Sequence, residues 1–117
     1  MARVLAVFDD LLLGSNVLGL LTAAGHDARL SGPAGVGEVA ADVLVVDLGS
    51  DAFDGIELLE RLRSAGRLGA AKTLGVYSHV HHEMKLRAEA AGFDLVVPRS
   101  RLVREGPELV ERLAAGA

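Results

Sequence analysis

Two apolar runs in this sequence end in carboxylates. Residues 3–8 (RVLAVF) lead directly into Asp9-Asp10, and within residues 42–48 (DVLVVDL) four aliphatic residues are closed by Asp47. Set at the ends of adjacent strands, Asp9, Asp10 and Asp47 converge. Three carboxylates held close repel one another and raise one another's pKa unless a cation is shared among them. A hard, oxygen-seeking ion such as Mg²⁺ suits that donor set. Taken singly, each aspartate reads better as a cap on the helix or turn that follows; the three together point to a cation site.

Positioning those acids falls to a chain that alternates short β-rich runs with stretches of helical spacing. Strands are expected at residues 3–8, 27–30, 42–48, 72–77 and 95–97, the last stopped by Pro98. Helices are expected at residues 11–24, stopped by Gly25, at 56–65, where Ile56, Leu59 and Leu62 form an apolar face, and at 80–91, closed by Gly92. A brief helix is expected at 35–41, after the breakers Ser31-Gly32-Pro33, and a final one from Pro107, an acceptable first helical residue. This alternation specifies an α/β fold: a doubly wound five-stranded parallel sheet with helices on both faces, one domain over residues 1–117. In the flavodoxin-like order 2-1-3-4-5 the first and third strands are neighbours, and ligands bind beyond their carboxyl ends.

Composition removes several classes of function. The chain has 117 residues and no cysteine, which excludes disulfides, thiolate metal sites and a cysteine nucleophile. A net charge of -4 with 3% aromatic residues supplies neither a basic footprint nor a stacking platform for nucleic acid. No apolar run is long enough to span a bilayer, and the N-terminus enters a strand rather than a signal peptide, so a cytoplasmic protein without membrane contact is expected. The segment His79-Val80-His81-His82 offers imidazoles, but adjacent His81 and His82 point different ways, so a solvated loop with His79 at the mouth of the acidic site is the better reading. The glycine-rich stretch at residues 32–37 lacks the G-x-G-x-x-G order and follows the second strand, as turn chemistry requires no more. A cobalamin site fails for want of an axial histidine, since Leu11 stands in its place.

The acidic pair Asp9-Asp10, the strand-end Asp47 and the uninterrupted run from it to Asp54-Gly55 resemble the receiver domain of bacterial two-component response regulators over essentially the whole chain. The resemblance implies that Asp47 is a phosphoacceptor nucleophile, with Mg²⁺ held by Asp9, Asp10, Asp47 and the Gly49 backbone carbonyl. It further implies that Ser78, after the fourth strand, contacts the phosphoryl group. The family's lysine after the fifth strand is missing: Pro98 takes its place and Arg99 follows as a candidate surrogate, although an arginine fork is not a lysine point charge. Leu95 replaces the family's switch aromatic, and Asp51 stands where the family often has proline.

On this likeness the chain is a stand-alone bacterial receiver, a phosphoacceptor in a phosphorelay rather than an enzyme. Its partners would be a sensor histidine kinase or phosphotransfer protein and a downstream protein, the latter met by a basic rim of Arg99, Arg101 and Arg104. The alternative is a degenerate receiver that keeps the fold and acts as a phosphorylation-independent interaction module. The missing lysine favours that alternative, and the retained acids favour the first reading.

Overall fold

The structure, a computed structural model, describes residues 1–78 and 81–116. The β-rich runs form β1 (Arg3–Val7), β2 (Asp27–Ser31), β3 (Val43–Asp47), β4 (Lys72–Tyr77) and β5 (Leu95–Pro98). These lie in the order β2-β1-β3-β4-β5, with every neighbouring pair parallel. The intervening stretches form α1 (Leu11–Ala23), α2 (Gly55–Ser64), α3 (Glu83–Ala91) and α4 (Arg99–Ala114). The order reverses between β1 and β3, so the sheet has its crevice where the acids were expected. None of the described helices is long and apolar enough to cross a membrane.

The period-two alternation of each strand divides the core into two layers. On one face Val4, Ala6 and Phe8 of the first strand segment join Val43, Val45, Leu74, Val76 and Val97, covered by Val17 and Leu21 of α1 and by Leu102, Leu109, Val110 and Leu113 of α4. On the other, Val7, Leu44, Val46 and Val96 lie beneath Leu58, Leu59 and Leu62 of α2 and Ala88 of α3. All five residues of β3 are buried, which is why its run contains so little polarity.

Two expected elements differ. The helix foreseen at residues 35–41 is absent, and only a single 3₁₀ turn, Pro33–Gly35, follows β2. Its segment is too short and glycine-broken to offer a helical stripe, and its main chain bonds elsewhere: the Val39 N–H donates to the Arg67 carbonyl at 2.8 Å. The last helix begins at Arg99 rather than Pro107, which lies inside it. An interior proline costs about 3 kcal/mol, but the buried stripe Leu102, Gly106, Leu109, Val110 and Leu113 runs straight through it. Burial of that stripe carries the helix past the break. The start expected at residue 80 for α3 falls on Val80, outside the described residues; the helix is assigned from Glu83.

Asp54-Gly55 shows how tightly the crevice side is built. Asp54 Oδ1 accepts from the N–H groups of Ile56 and Glu57 at 3.0 and 3.1 Å, capping α2. Gly55 then passes so close to β3 that a Cβ there would lie 2.7 Å from Leu48 Cδ2 and 3.1 Å from the Asp47 carbonyl oxygen. Gly55→Ala should therefore lower stability by about 1–3 kcal/mol through overpacking. Gly19→Ala, on the exposed side of α1 with nothing within 4 Å of the added carbon, should instead raise it by about 0.5–1 kcal/mol. Urea denaturation midpoints at unchanged slope test both, and equal shifts in one direction would refute the close-approach argument.

Candidate functional site

Asp47 is the final residue of the fully buried β3, and its side chain has no exposure to solvent. A carboxylate in that position must be compensated or neutralised. The compensating group is Arg99, whose Nη2 lies 3.2 Å from Asp47 Oδ1 and 3.1 Å from Oδ2. One nitrogen thus bridges both oxygens. Oδ1 also accepts the Gly49 N–H at 3.0 Å, which fixes the carboxylate plane from its own loop.

Three local features deliver the guanidinium. Pro98 pairs in register with Tyr77 at the edge of the sheet and takes the extended conformation that precedes a helix; a proline is tolerated on such an edge strand. Arg99 follows as the first residue of α4, so its side chain leaves from a fixed backbone and reaches past the end of β4 to β3. Gly49 supplies the space. A Cβ at residue 49 would stand 2.9 Å from Arg99 Nη2, 3.2 Å from Cζ and 3.3 Å from the Ser78 backbone nitrogen. The guanidinium therefore lies in a slot between the β3 loop and the start of the β4 loop. Arg99 remains one-third exposed at 34%, and its buried Nε meets no acceptor among the described residues, so only one edge of the fork is engaged.

The expected residues are distributed unevenly around this pair. Asp47, Gly49, Ser78 and Arg99 come together. Asp10 serves as the N-cap of α1, its Oδ1 accepting from Leu12 and Leu13 N–H at 3.0 and 3.1 Å, and Asp9 is exposed. Asp9, Asp10 and Asp47 do not gather into a three-ligand group able to hold a metal ion, and no other such group exists among the described residues. As arranged, the acids do not fit Mg²⁺: one is occupied with a helix end and another has both oxygens on a guanidinium. His79 lies outside the described residues. His81 and His82 are exposed, the latter edge-on to Tyr77 at 6.2 Å between ring centres. The basic rim on α4 is partly neutralised, since Arg101 and Arg104 approach Glu105 at 3.5 and 3.0 Å.

Sequence reasoning assigned Gly49 only a carbonyl role and missed its part as the floor of the arginine slot. The signal was present in the juxtaposition of a glycine two residues after a buried acid and an arginine where a shorter cation is usual, but only the packing reveals it.

No protein-family model matches this sequence, and no curated protein matches it. Solved structures do. Residues along the whole chain superpose on FixJ-N with a TM-score of 0.84 at 21% identity, covering 100% of this chain and 96% of that one. The receiver domain of the Francisella response regulator 1452 gives 0.82 at 20% identity, with 98% of each chain covered. The chain has the receiver fold. The non-phosphorylated HemR receiver domain from Leptospira biflexa adds a TM-score of 0.78 at 20% identity, over 98% of this chain and 95% of that domain. The receiver fold places the strand-end Asp47 at the crevice, and this sequence fills the crevice with its own arginine.

Removing the arginine while leaving the acid is the informative change. Arg99→Ala should cost about 1–3 kcal/mol, less than for a wholly buried pair because the guanidinium is partly hydrated. Combining it with Asp47→Asn should recover part of that loss. A double-mutant cycle by chemical denaturation measures the coupling, and a coupling energy near zero would show that the contact does not stabilise the fold.

Proposed function

We propose that this chain is a receiver-fold signalling module that acts through protein contact, with Asp47 held by Arg99 in a standing charge-compensated state rather than serving as a metal-dependent phosphoacceptor. The observation that carries this reading is the bridge from one Arg99 nitrogen to both oxygens of a fully buried carboxylate. Attack on a phosphodonor needs a carboxylate oxygen free to approach phosphorus in line, and cationic support for the transferring group. Neither oxygen of Asp47 is free in this arrangement, and with Asp9 and Asp10 it forms no three-ligand metal group. Arg99 supplies the positive charge from within the chain.

A second reading is favoured by the neighbourhood of Ser78. Its backbone flanks the slot that holds the guanidinium, so a small hydroxyl residue and an arginine stand together beside the strand-end acid. On that reading the chain is a phosphorelay receiver that takes a phosphoryl group on Asp47 from a sensor histidine kinase or phosphotransfer protein, with Ser78 and Arg99 contacting it after Arg99 releases the acid.

Intact-mass measurement after incubation with acetyl phosphate separates the two, run with and without Mg²⁺ on the native chain and on Asp47→Asn. The interaction-module reading expects no phosphoryl adduct under either condition. A Mg²⁺-dependent adduct on the native chain that Asp47→Asn abolishes would replace it with the phosphorelay reading.

A further inference from the structure

The face of the sheet that lacks its helix leaves one edge strand unusually open. β2 is a terminal strand whose main packing is against β1 and α1. In register with Arg3, Leu5 and Val7 of β1, its residues Asp27, Arg29 and Ser31 stand on the α2 side of the sheet; Val7 packs into the core beneath α2, whereas Asp27 and Arg29 remain exposed at the edge. The irregular segment that replaces the expected helix leaves a groove of about 440 Å³ there, lined by Arg3, Leu5, Asp27, Arg29 and Glu38 among others. Asp27 and Arg29 are both exposed and form no ion pair among the described residues.

The backbone of β2 has a definite polarity. The Asp27 N–H donates to the Ala2 carbonyl at 2.9 Å, and the Ser31 carbonyl accepts from Phe8 N–H at 3.1 Å, so these positions face β1. Main-chain groups alternate sides along a strand, which turns those of Ala28 and Leu30 to the free edge. The His26 N–H is already engaged with the Leu21 carbonyl at 3.1 Å, which ends the free edge on that side.

We propose that two copies of this chain associate through antiparallel pairing of their β2 edges, centred on Ala28. Two-fold symmetry then makes Ala28 a hydrogen-bonded pair with its counterpart, as its outward N–H and C=O require. The same register sets Asp27 opposite Arg29 of the second copy, and Arg29 opposite Asp27, on one face and in non-hydrogen-bonded positions where side chains stand closest. Registers centred on Asp27 or Arg29 oppose like charges, and one centred on Leu30 sets Arg29 against Ser31. Charges on an edge strand ordinarily prevent such pairing; here their order makes the edge complementary to itself in one register. The missing helix matters because it leaves both charged side chains unobstructed on that face. A five-residue edge is small beside the roughly 1,200–2,000 Å² buried by stable interfaces, so the association is weak and concentration-dependent. This inference stands apart from the Asp47 site.

The absence of cysteine makes the test clean. Ala28→Cys introduces a single thiol whose counterpart would lie about 5.5 Å away between Cα atoms, within the roughly 4.4–6.8 Å of natural disulfides. Under mild oxidation it should form a covalent dimer faster than the exposed control Ala115→Cys. Adding Arg29→Glu should slow that trapping at least about tenfold by turning both charge pairs repulsive. The further exchange Asp27→Arg with Arg29→Asp should restore it. Sedimentation velocity of the cysteine-free chain and of Ala28→Pro, which removes only an outward N–H, gives a second measure with circular dichroism confirming the fold. Trapping no faster than the control, or trapping insensitive to the charge at residue 29, would overturn the proposal.

Discussion

A carboxylate at the end of a strand buried along its whole length must be matched by a positive charge, and the sheet is arranged so that Arg99 supplies it to Asp47. The match depends on features distant in sequence. Gly49 withholds a side chain that would collide with the guanidinium, Pro98 ends the edge strand without needing its missing N–H, and α4 begins at once with Arg99. Had α4 begun at Pro107, residues 99–106 would have been a loop and the guanidinium would have lacked a fixed point of departure. The early start is held by the buried stripe from Leu102 to Leu113, so packing against α1 and the sheet determines where the cation stands. A contact between two side chains thus rests on the hydrophobic burial of a third element.

The two faces of the sheet are unequal. α1 and α4 cover one face from β1 across to β5, while on the other α2 and α3 pack over β3, β4, β5 and the Val7 end of β1, and the exposed Asp27 and Arg29 of β2 lie beyond them. Asp47 lies at the border of the covered half. Gly55, the first residue of α2, is pressed against Leu48 and Val46, so the α2 side of the crevice has little freedom to yield. On the other side, Asp10 is held by the first turn of α1. The acids therefore sit on separate frameworks: Asp10 has Oδ1 committed to the first turn of α1, and Asp47 at the end of β3 is held by Gly49 and Arg99.

What the sequence revealed follows from how strongly each feature repeats. Strand order and helix placement were legible because aliphatic runs such as residues 43–46 and the stripe Ile56, Leu59, Leu62 are periodic over several turns, and each is buried as its pattern requires. Gly92 at φ 104° ended α3 as a glycine C-cap should. Residues 35–41 misled because Val36, Val39 and Ala41 mimic one turn of an amphipathic helix, whereas the Val39 main chain bonds to Arg67 far along the chain. Pro107 misled because a local rule about proline competes with a stripe that extends on both sides of it. At the site, the identities of Asp47, Ser78 and Arg99 could be read in order along the strands, but the relation among them could not. Whether Asp10 caps or ligates, and whether Arg99 meets an incoming group or the acid itself, depends on side-chain direction and on a slot visible only when Gly49 and Ser78 are brought together.

The tether on the positive charge limits how such a site can change state. A bound ion or a transferred group can arrive and leave without moving the chain, whereas a guanidinium can leave Asp47 only by changing rotamer or by moving with the start of α4. On the interaction-module reading, where release moves the start of α4, compensation of the buried acid and the position of that helix end are one equilibrium. Anything that binds α4 more tightly in one position must shift the Asp47–Arg99 contact, and loss of the contact must change affinity for that partner by the same factor. Arg101 and Arg104 lie within the first two turns of the same helix, each close to Glu105. A partner presenting carboxylates there would compete with Glu105 for both, two and five residues beyond Arg99. The charge arrangement of α4 therefore ties its outer, arginine-bearing side to the buried acid through the first turns of the helix, with no diffusible group in between.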